Sequence, residues 1–277
     1  MTTMILERLE ATECSPLIGS EVHLDKPALL SGEHAAGLRE LLERRGILVF
    51  PKISFTDEEQ VAFTKTLGTL APERRGEEVY KVTLDTKANL TAEYLKGSLY
   101  WHIDGTMNEV PILASLLSAK VLSPTGGDTE FCNTYAAWDQ LPEEDQKQLE
   151  GLRVMHSAWT SLFYYDPEPP LAKTKQMMDI GEQELPLVWT HRSGRKSLVL
   201  GCTAHHVIGM SARESTELLV RLREWATQPR FTYCHKWTVG DLVIWDNTGT
   251  MHRATPYDPN AGRMLHRTKL QGEEPFA

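Results

Sequence analysis

The chain has 277 residues, with 29 Lys and Arg against 38 Asp and Glu, a formal net charge of −9 with histidines neutral. At 41% apolar and 24% charged residues it has the composition of a folded protein with ample material for a buried core, not of a disordered one. The acidic balance argues against nucleic acid or an anionic membrane as the main partner, since both need basic surfaces, but leaves room for a small anion in a locally basic pocket.

The N-terminal MTTMILERLEATE is charged within seven residues and has no apolar centre, so no secretory leader is expected. Residues 31–45 predict a helix, with Ser31 as N-cap and Ala36, Leu38, Leu41 and Leu42 as its apolar stripe. Gly46 ends it, and residues 47–51 read as a buried strand. Thr56 and Glu59 make a capping box that opens a helix running to Leu67, before Gly68. The longest apolar run, around 112–119, is broken by Ser115 and Ser118 and falls far short of the ~18 residues of a membrane span. Residues 133–141 and 142–152 suggest two short helices, and Ser211 with Glu214 forms a second capping box opening a helix over 211–226. Short strands are expected at 185–191, 197–201, 231–237, 241–245 and 264–270, with turn signals at Ser193-Gly194, 239–241 and Pro259-Asn260. Many short strands without regular helix alternation predict an α+β chain with a sandwich or jelly-roll core and helices packed outside. No linker or repeat interrupts it, so residues 1–277 read as a single domain. Cys14, Cys132, Cys202 and Cys234 lie far apart with no CxxC, which indicates neither a disulfide framework nor a zinc ribbon and predicts a reducing, cytoplasmic setting.

Two segments carry chemistry: Tyr100-Trp101-His102-Ile103-Asp104-Gly105, and the run from Trp245 to Arg253 that contains His252. In a strand, positions i and i+2 share a face, so His102 and Asp104 would converge on one ion. With His252 they form the two-histidine, one-carboxylate set that occupies one face of an octahedral Fe(II) and leaves three positions open. H-x-D alone is a weak signal among ten histidines. It is strengthened by Arg263 and Arg267, four apart in a strand-like segment and so on one face, where they could receive two anions in one pocket. A solvated basic edge is the plainer reading of either arginine alone. The neighbours His205-His206 and Cys234-His235 would point to opposite faces of a strand and share no ion.

On these residues the sequence resembles the taurine dioxygenase / 2,4-dichlorophenoxyacetate dioxygenase family of Fe(II)/2-oxoglutarate-dependent oxygenases. The resemblance runs from about Leu17 to the C-terminal LQGEEPF, most specifically in WHID at 101–104, GGDTEFC at 126–132, VGDLVIWDN at 239–247 and H-R-x(9)-R-x(3)-R from His252 to Arg267. GGDTEFC, ATQ at 226–228 and HR-x(3)-YD at 252–258 place it nearer the aryloxyalkanoate branch than the taurine branch. The resemblance implies a double-stranded β-helix core and the use of Fe(II), 2-oxoglutarate and O₂. It implies iron ligation by His102, Asp104 and His252, with Trp245 beside the metal. Arg263 and Thr129 would hold the distal carboxylate of 2-oxoglutarate. Arg267 would hold the anionic head of a small organic substrate, such as an aryloxyalkanoate. Hydroxylation, with release of succinate and CO₂, would then cleave that substrate.

Tyr80 and Lys81 are candidates for the substrate side. The taurine enzyme's extra His and Tyr have no counterpart in 70–76, which argues against taurine itself. Gly105 hints at room for a bulkier substrate, and Asp104 fills the position a halogenase would give to chloride. Family members commonly form dimers or tetramers, so a homo-oligomer is expected. Two other readings share the residues. One is a zinc hydrolase on the same triad, which leaves Arg263 and Thr129 without a role. The other is a non-catalytic 2-oxoglutarate-binding protein, which would be expected to lack a ligand.

Overall fold

The computed structural model describes residues 9–73 and 76–276; the leader reading of 1–8 and the pair Arg74-Arg75 of the 70–76 stretch lie outside them. The larger sheet has eight strands, in the order Ala11–Glu13, Ser20–Val22, Ile47–Phe50, Leu242–Asp246, Ala114–Val121, Met264–Leu270 and Leu70–Ala71, with Tyr80–Val82 also pairing with Met264–Leu270. Every pairing in it is antiparallel except that between Ser20–Val22 and Ile47–Phe50.

Period-two alternation divides its central strands between two cores. Leu48, Phe50, Leu116 and Ile244 face the helices Ala35–Arg45 and Asp57–Leu67, which contribute Leu38, Leu41, Phe63 and Leu67. Ile47, Val49, Leu117, Val243 and Trp245 face the other way, toward Phe131 of a smaller sheet. That smaller sheet has Thr129–Asn133 at its centre, flanked by Thr232–His235 and Thr250–Ala254. A third sheet pairs Arg153–Ser157 with Ala204–Val207 and Glu182–Pro186, and the helix Ala212–Ala226 packs Leu222 and Ala226 into the core beside it. The two facing sheets make the jelly roll expected from the strand pattern, with helices outside.

Both capping boxes form as read, with the Thr56 and Ser211 hydroxyls accepting from the Glu59 and Glu214 amides. The helix expected over 31–45 is instead two helices. Asp25 caps Lys26–Ser31, Gly32 closes it, and Ala35–Arg45 starts afresh. Ser31 is therefore the last residue of the first helix, and its hydroxyl donates back to the Ala28 carbonyl at 2.8 Å. The stretch 185–191 likewise divides, into Glu182–Pro186 and Val188–Thr190. The short helices Ala158–Tyr165 and Leu171–Met178 have no counterpart in the sequence reading.

Among the described residues no helix is long and apolar enough to cross a membrane. The run at 112–119 lies mostly in the strand Ala114–Val121, and the serines that interrupt it are buried and bonded: Ser118 donates to Gln60 at 2.6 Å, and Ser115 turns into the site.

Candidate active site

His102 lies in no extended strand. A single bridge, His102 N to His252 O at 3.1 Å and His252 N to His102 O at 2.9 Å, fastens it to Thr250–Ala254 and sets the two imidazoles 4.1 Å apart. The chain then turns at Asp104. Gly105 takes φ +86°, and a Cβ there would sit 2.9 Å from the Ile112 nitrogen. Glycine is thus required by the turn, and the free space expected beyond it is filled by Ile112. Bridge and turn, rather than strand alternation, bring the donors together. His102 Nε2 lies 3.7 Å and His252 Nε2 3.9 Å from the Asp104 carboxylate, and the three ligand atoms lie within 4.8 Å of one another.

The electrostatics suit a cation. His102 Nδ1 is 2.8 Å from the Tyr100 carbonyl, which fixes the proton there and leaves the Nε2 lone pair facing Asp104. Burial, then His102 and Arg267, press His252 well below the ordinary imidazole range despite the pull of Asp104, so it stands neutral. Burial alone would raise the Asp104 carboxyl. Arg267, His252, His102 and Lys269 outweigh it and hold the group ionised.

Behind the ligands, Ser115 donates to Asp104 at 3.2 Å, Asn247 donates to Ser115 at 3.1 Å, and Trp245 Nε1 donates to Asn247 at 2.8 Å. The Trp245 ring, 2% exposed, lies 4.6 Å from that of His252. Trp245 is thus both a core aromatic and a wall of the site. Neither Ser115 nor Asn247 has a role in the sequence reading: the first enters it as an interruption of an apolar run, the second as the last residue of the VGDLVIWDN motif.

The triad opens into a cavity of about 330 Å³ between the two sheets. Odd-numbered residues of Met264–Leu270, and Arg263 just before it, line that cavity, so the two arginines do share a face. Arg263 is 2% exposed. Its Nε and Nη2 donate to the Gly127 carbonyl at 3.1 and 2.6 Å, and its guanidinium lies over Tyr257 at 4.6 Å. Gly127 has φ +79°, and a Cβ there would come within 2.6 Å of Arg263 Nε. Among the described residues no carboxylate forms an ion pair with Arg263, and burial lowers its pKa while Tyr257 and Asp128 oppose. Thr129 lines the same cavity and accepts from Trp237 Nε1 at 3.0 Å, which leaves its hydroxyl proton to donate. A buried arginine without an acid and a spare hydroxyl donor beside a His-Asp-His donor set fit a metal and a dicarboxylic co-substrate.

Arg267 is placed differently. Its Nε and Nη2 donate to Glu73 at 3.1 and 3.3 Å, and Nη1 reaches Asp104 at 3.5 Å. Lys269 joins the same acid at 2.9 Å. Glu73 and Lys269 are site residues that the sequence reading missed: 70–76 enters it only as a stretch without the taurine enzyme's extra His and Tyr, and Lys269 only as part of the strand expected at 264–270. Tyr80 lines the cavity, with its ring 5.1 Å below the Arg267 guanidinium and its hydroxyl on Thr91 and Asn89. Lys81 is not brought to the cavity. Alternation along Tyr80–Val82 turns its exposed side chain away from the face that Tyr80 and Val82 line.

The remaining histidine pairs lie elsewhere and apart. His205 bonds Ser157 at 2.8 Å, and His206 lies 3.5 Å from Ser215. His235 pairs with Asp241 inside the fold while Cys234 is exposed, and all four cysteines are free.

The family model described as "Taurine catabolism dioxygenase TauD, TfdA family" matches residues 10–269. The chain is similar to the alpha-ketoglutarate-dependent 2,4-dichlorophenoxyacetate dioxygenase of Burkholderia sp. (strain RASC), 36% identical over 92% of this chain and 91% of that protein. It is similar to the (S)-phenoxypropionate/alpha-ketoglutarate-dioxygenase of Sphingobium herbicidovorans, 34% identical over 82% of each. Among solved structures it resembles that of AAD-2 in complex with Mn(II) and N-oxalylglycine, with a TM-score of 0.83 and 33% identity over 97% of this chain and 99% of that one. The chain therefore belongs to the TauD/TfdA family and is an Fe(II)/2-oxoglutarate-dependent dioxygenase.

Proposed function

We propose that residues 1–277 form one catalytic domain that hydroxylates, and thereby cleaves, a small aryloxyalkanoate-type acid. The observation that carries this is the buried, acid-free Arg263 in the same cavity as the donor triangle of His102, Asp104 and His252. The three ligands would hold Fe(II) through the two Nε2 atoms and the carboxylate. Arg263 and Thr129 would hold the far carboxylate of 2-oxoglutarate, the first by a charged fork and the second by its free hydroxyl proton. Iron, 2-oxoglutarate and O₂ together supply the oxidising power that replaces a substrate C–H by C–OH.

The chain's own residues bind, orient and exclude water. Leu84, Leu95, Met107, Ile112 and Ile180 give the cavity an apolar wall suited to an aryl group, and Arg267 offers its anion contact. Hydroxylation at the carbon that bears the ether oxygen gives a hemiacetal, which falls apart to a carbonyl compound and a phenol. Two relatives bear names for phenoxy acids, which supports this substrate class. The zinc-hydrolase reading gives Arg263 and Thr129 nothing to do. A homo-oligomer, dimer or tetramer, in a reducing cytoplasm is part of the same proposal; four free cysteines support the compartment.

The test is turnover of the purified protein with Fe(II), ascorbate and 2-oxoglutarate over a panel of aryloxyalkanoates, alkyl sulfates and sulfonates. Succinate should appear in step with O₂ uptake and phenol release. Anaerobic turnover, or full activity with Zn(II) alone, would overturn it.

A further inference from the structure

Among the described residues, five formally charged side chains line the cavity: Glu73, Asp104, Arg263, Arg267 and Lys269. They fall into two groups once the site is loaded as proposed above, a reading on which this inference rests. Fe(II), the two carboxylates of 2-oxoglutarate, Asp104 and Arg263 together carry no net charge. The other three do not cancel. Arg267 and Lys269 both lean on the single carboxylate of Glu73, at 3.1 and 2.9 Å, and leave one positive charge over.

Glu73 is no surface counter-ion. Its side chain is 4% exposed, and those of Arg267 and Lys269 are 19% and 13% exposed. An unmatched charge there is poorly screened by solvent. The backbone holds the acid in place, with Glu73 N donating to the Glu77 carbonyl at 2.8 Å and Gly76 N donating to the Glu73 carbonyl at 3.1 Å. Lys269 is fixed by the ladder in which it pairs with Ala71.

We infer that Glu73 and Lys269 are specificity-determining residues that set the charge of the primary substrate to one. A singly charged head shared by Arg267 and Lys269 brings the wall to neutrality with Glu73 still in place. A doubly charged head leaves an excess negative charge in a buried space. The same device keeps the co-substrate out of the wrong subsite. 2-Oxoglutarate carries a carboxylate at each end, and the cavity holds two arginines able to take one. With Glu73 on Arg267, Arg263 is the cavity arginine that has no ion-paired acid among the described residues, so the dicarboxylate is steered to that end. Specificity of this kind comes from a repulsive element rather than an added attraction.

The experiment measures binding to the Mn(II)- and 2-oxoglutarate-loaded protein at pH 8, with phenoxyacetate as monoanion and phenyl phosphate as dianion, alongside succinate release by the Fe(II) enzyme. Wild type should prefer phenoxyacetate. Glu73→Gln keeps the size and the hydrogen-bonding oxygen but removes the charge. It should narrow the preference by about tenfold, the scale of one poorly screened charge, and make excess 2-oxoglutarate an inhibitor competitive with phenoxyacetate. Lys269→Gln should raise KM for phenoxyacetate by a larger factor than it lowers kcat. The double variant, which restores a single net positive charge on the wall, should return the preference toward wild type. A merely structural ion pair would move none of these ratios. A preference unchanged within twofold in Glu73→Gln, with succinate release intact, overturns the inference and leaves the dioxygenase reading standing. A wild-type protein that neither binds 2-oxoglutarate nor releases succinate overturns both.

Discussion

Arg263 and Arg267 stand four residues apart on one face of one strand segment, yet they do opposite electrostatic work. Arg263 has given its Nε and Nη2 to the Gly127 carbonyl and forms no ion pair among the described residues, with Asp128 acting on it only from beyond contact. Arg267 is shared between Glu73 and Asp104. Spacing alone therefore says that two anions could enter; burial and partners say on what terms. An arginine without an acid is preorganised for its ligand, whereas a paired one makes its ligand compete. The same contrast separates two aspartates. Asp104, partly open to the cavity, is held low by Arg267 and its neighbours, but Asp246, enclosed by the fold and bonded to Thr248, is pushed up to about 6.

The largest effect comes from removing the acid that Arg267 and the two histidines share. Asp104→Ala should abolish succinate formation and eliminate the rise in Tm on adding Mn(II). Turnover that survives it breaks the ligand assignment, and with it the reason for treating Arg267 as the substrate arginine. Next is Arg263→Lys, which keeps the charge and loses the fork. The KM for 2-oxoglutarate should rise about a hundredfold, as expected for a bidentate buried contact. Arg267→Lys should instead raise the substrate KM alone. If both variants affect 2-oxoglutarate equally, the contrast between the two arginines is wrong.

Asp246 tests the electrostatic half of the comparison. Its folded pKa is raised from 3.8, chiefly by burial and secondarily by Glu43, against the Thr248 bonds and Arg195. The folded state thus holds this proton more tightly than the unfolded chain. Its stabilisation is full below pH ~4 and is lost as pH rises through about 6. Asp246→Asn, which retains an oxygen for Thr248, should be more stable than wild type above pH 6, on the order of 3 kcal/mol from a shift of that size. The difference should vanish near pH 4 in thermal melts. The smallest effect is that of Ser115→Ala. Removing one donor to Asp104 should weaken Mn(II) binding about tenfold by calorimetry with the fold unchanged, the usual cost of an outer-sphere partner.

What the sequence made legible were features with a local rule. The capping boxes at Thr56 and Ser211, the alternating apolar strands and the H-x-D with a distant histidine each rest on spacing along the chain. The helix over 31–45 shows where such a rule misleads, since Asp25 nucleates earlier than Ser31 and Gly32 cuts the run. Convergence of His102 and Asp104 was anticipated for a different reason than the one observed. Alternation suggests it, but a long-range bridge to His252 and a turn at Gly105 produce it. Glu73 was not legible, because nothing in Ala71-Pro72-Glu73 distinguishes a buried wall from a solvated loop. That distinction is made by Leu70–Ala71 and Tyr80–Val82 pairing with the strand that bears Arg267 and Lys269. Ser115 was hidden in the same way: an alcohol in an apolar run shows its partner only when Asp104 is folded against it.

The bridge between His102 and His252 also bears on assembly. Its two backbone bonds join segments from distant parts of the chain, so the loop between them must close before the donor triangle exists. Occupancy of the ion is therefore a report on the closing of that loop. A chain arrested before the bridge forms would present scattered imidazoles and bind the metal weakly. Added metal would then draw the refolding equilibrium toward the native chain by mass action.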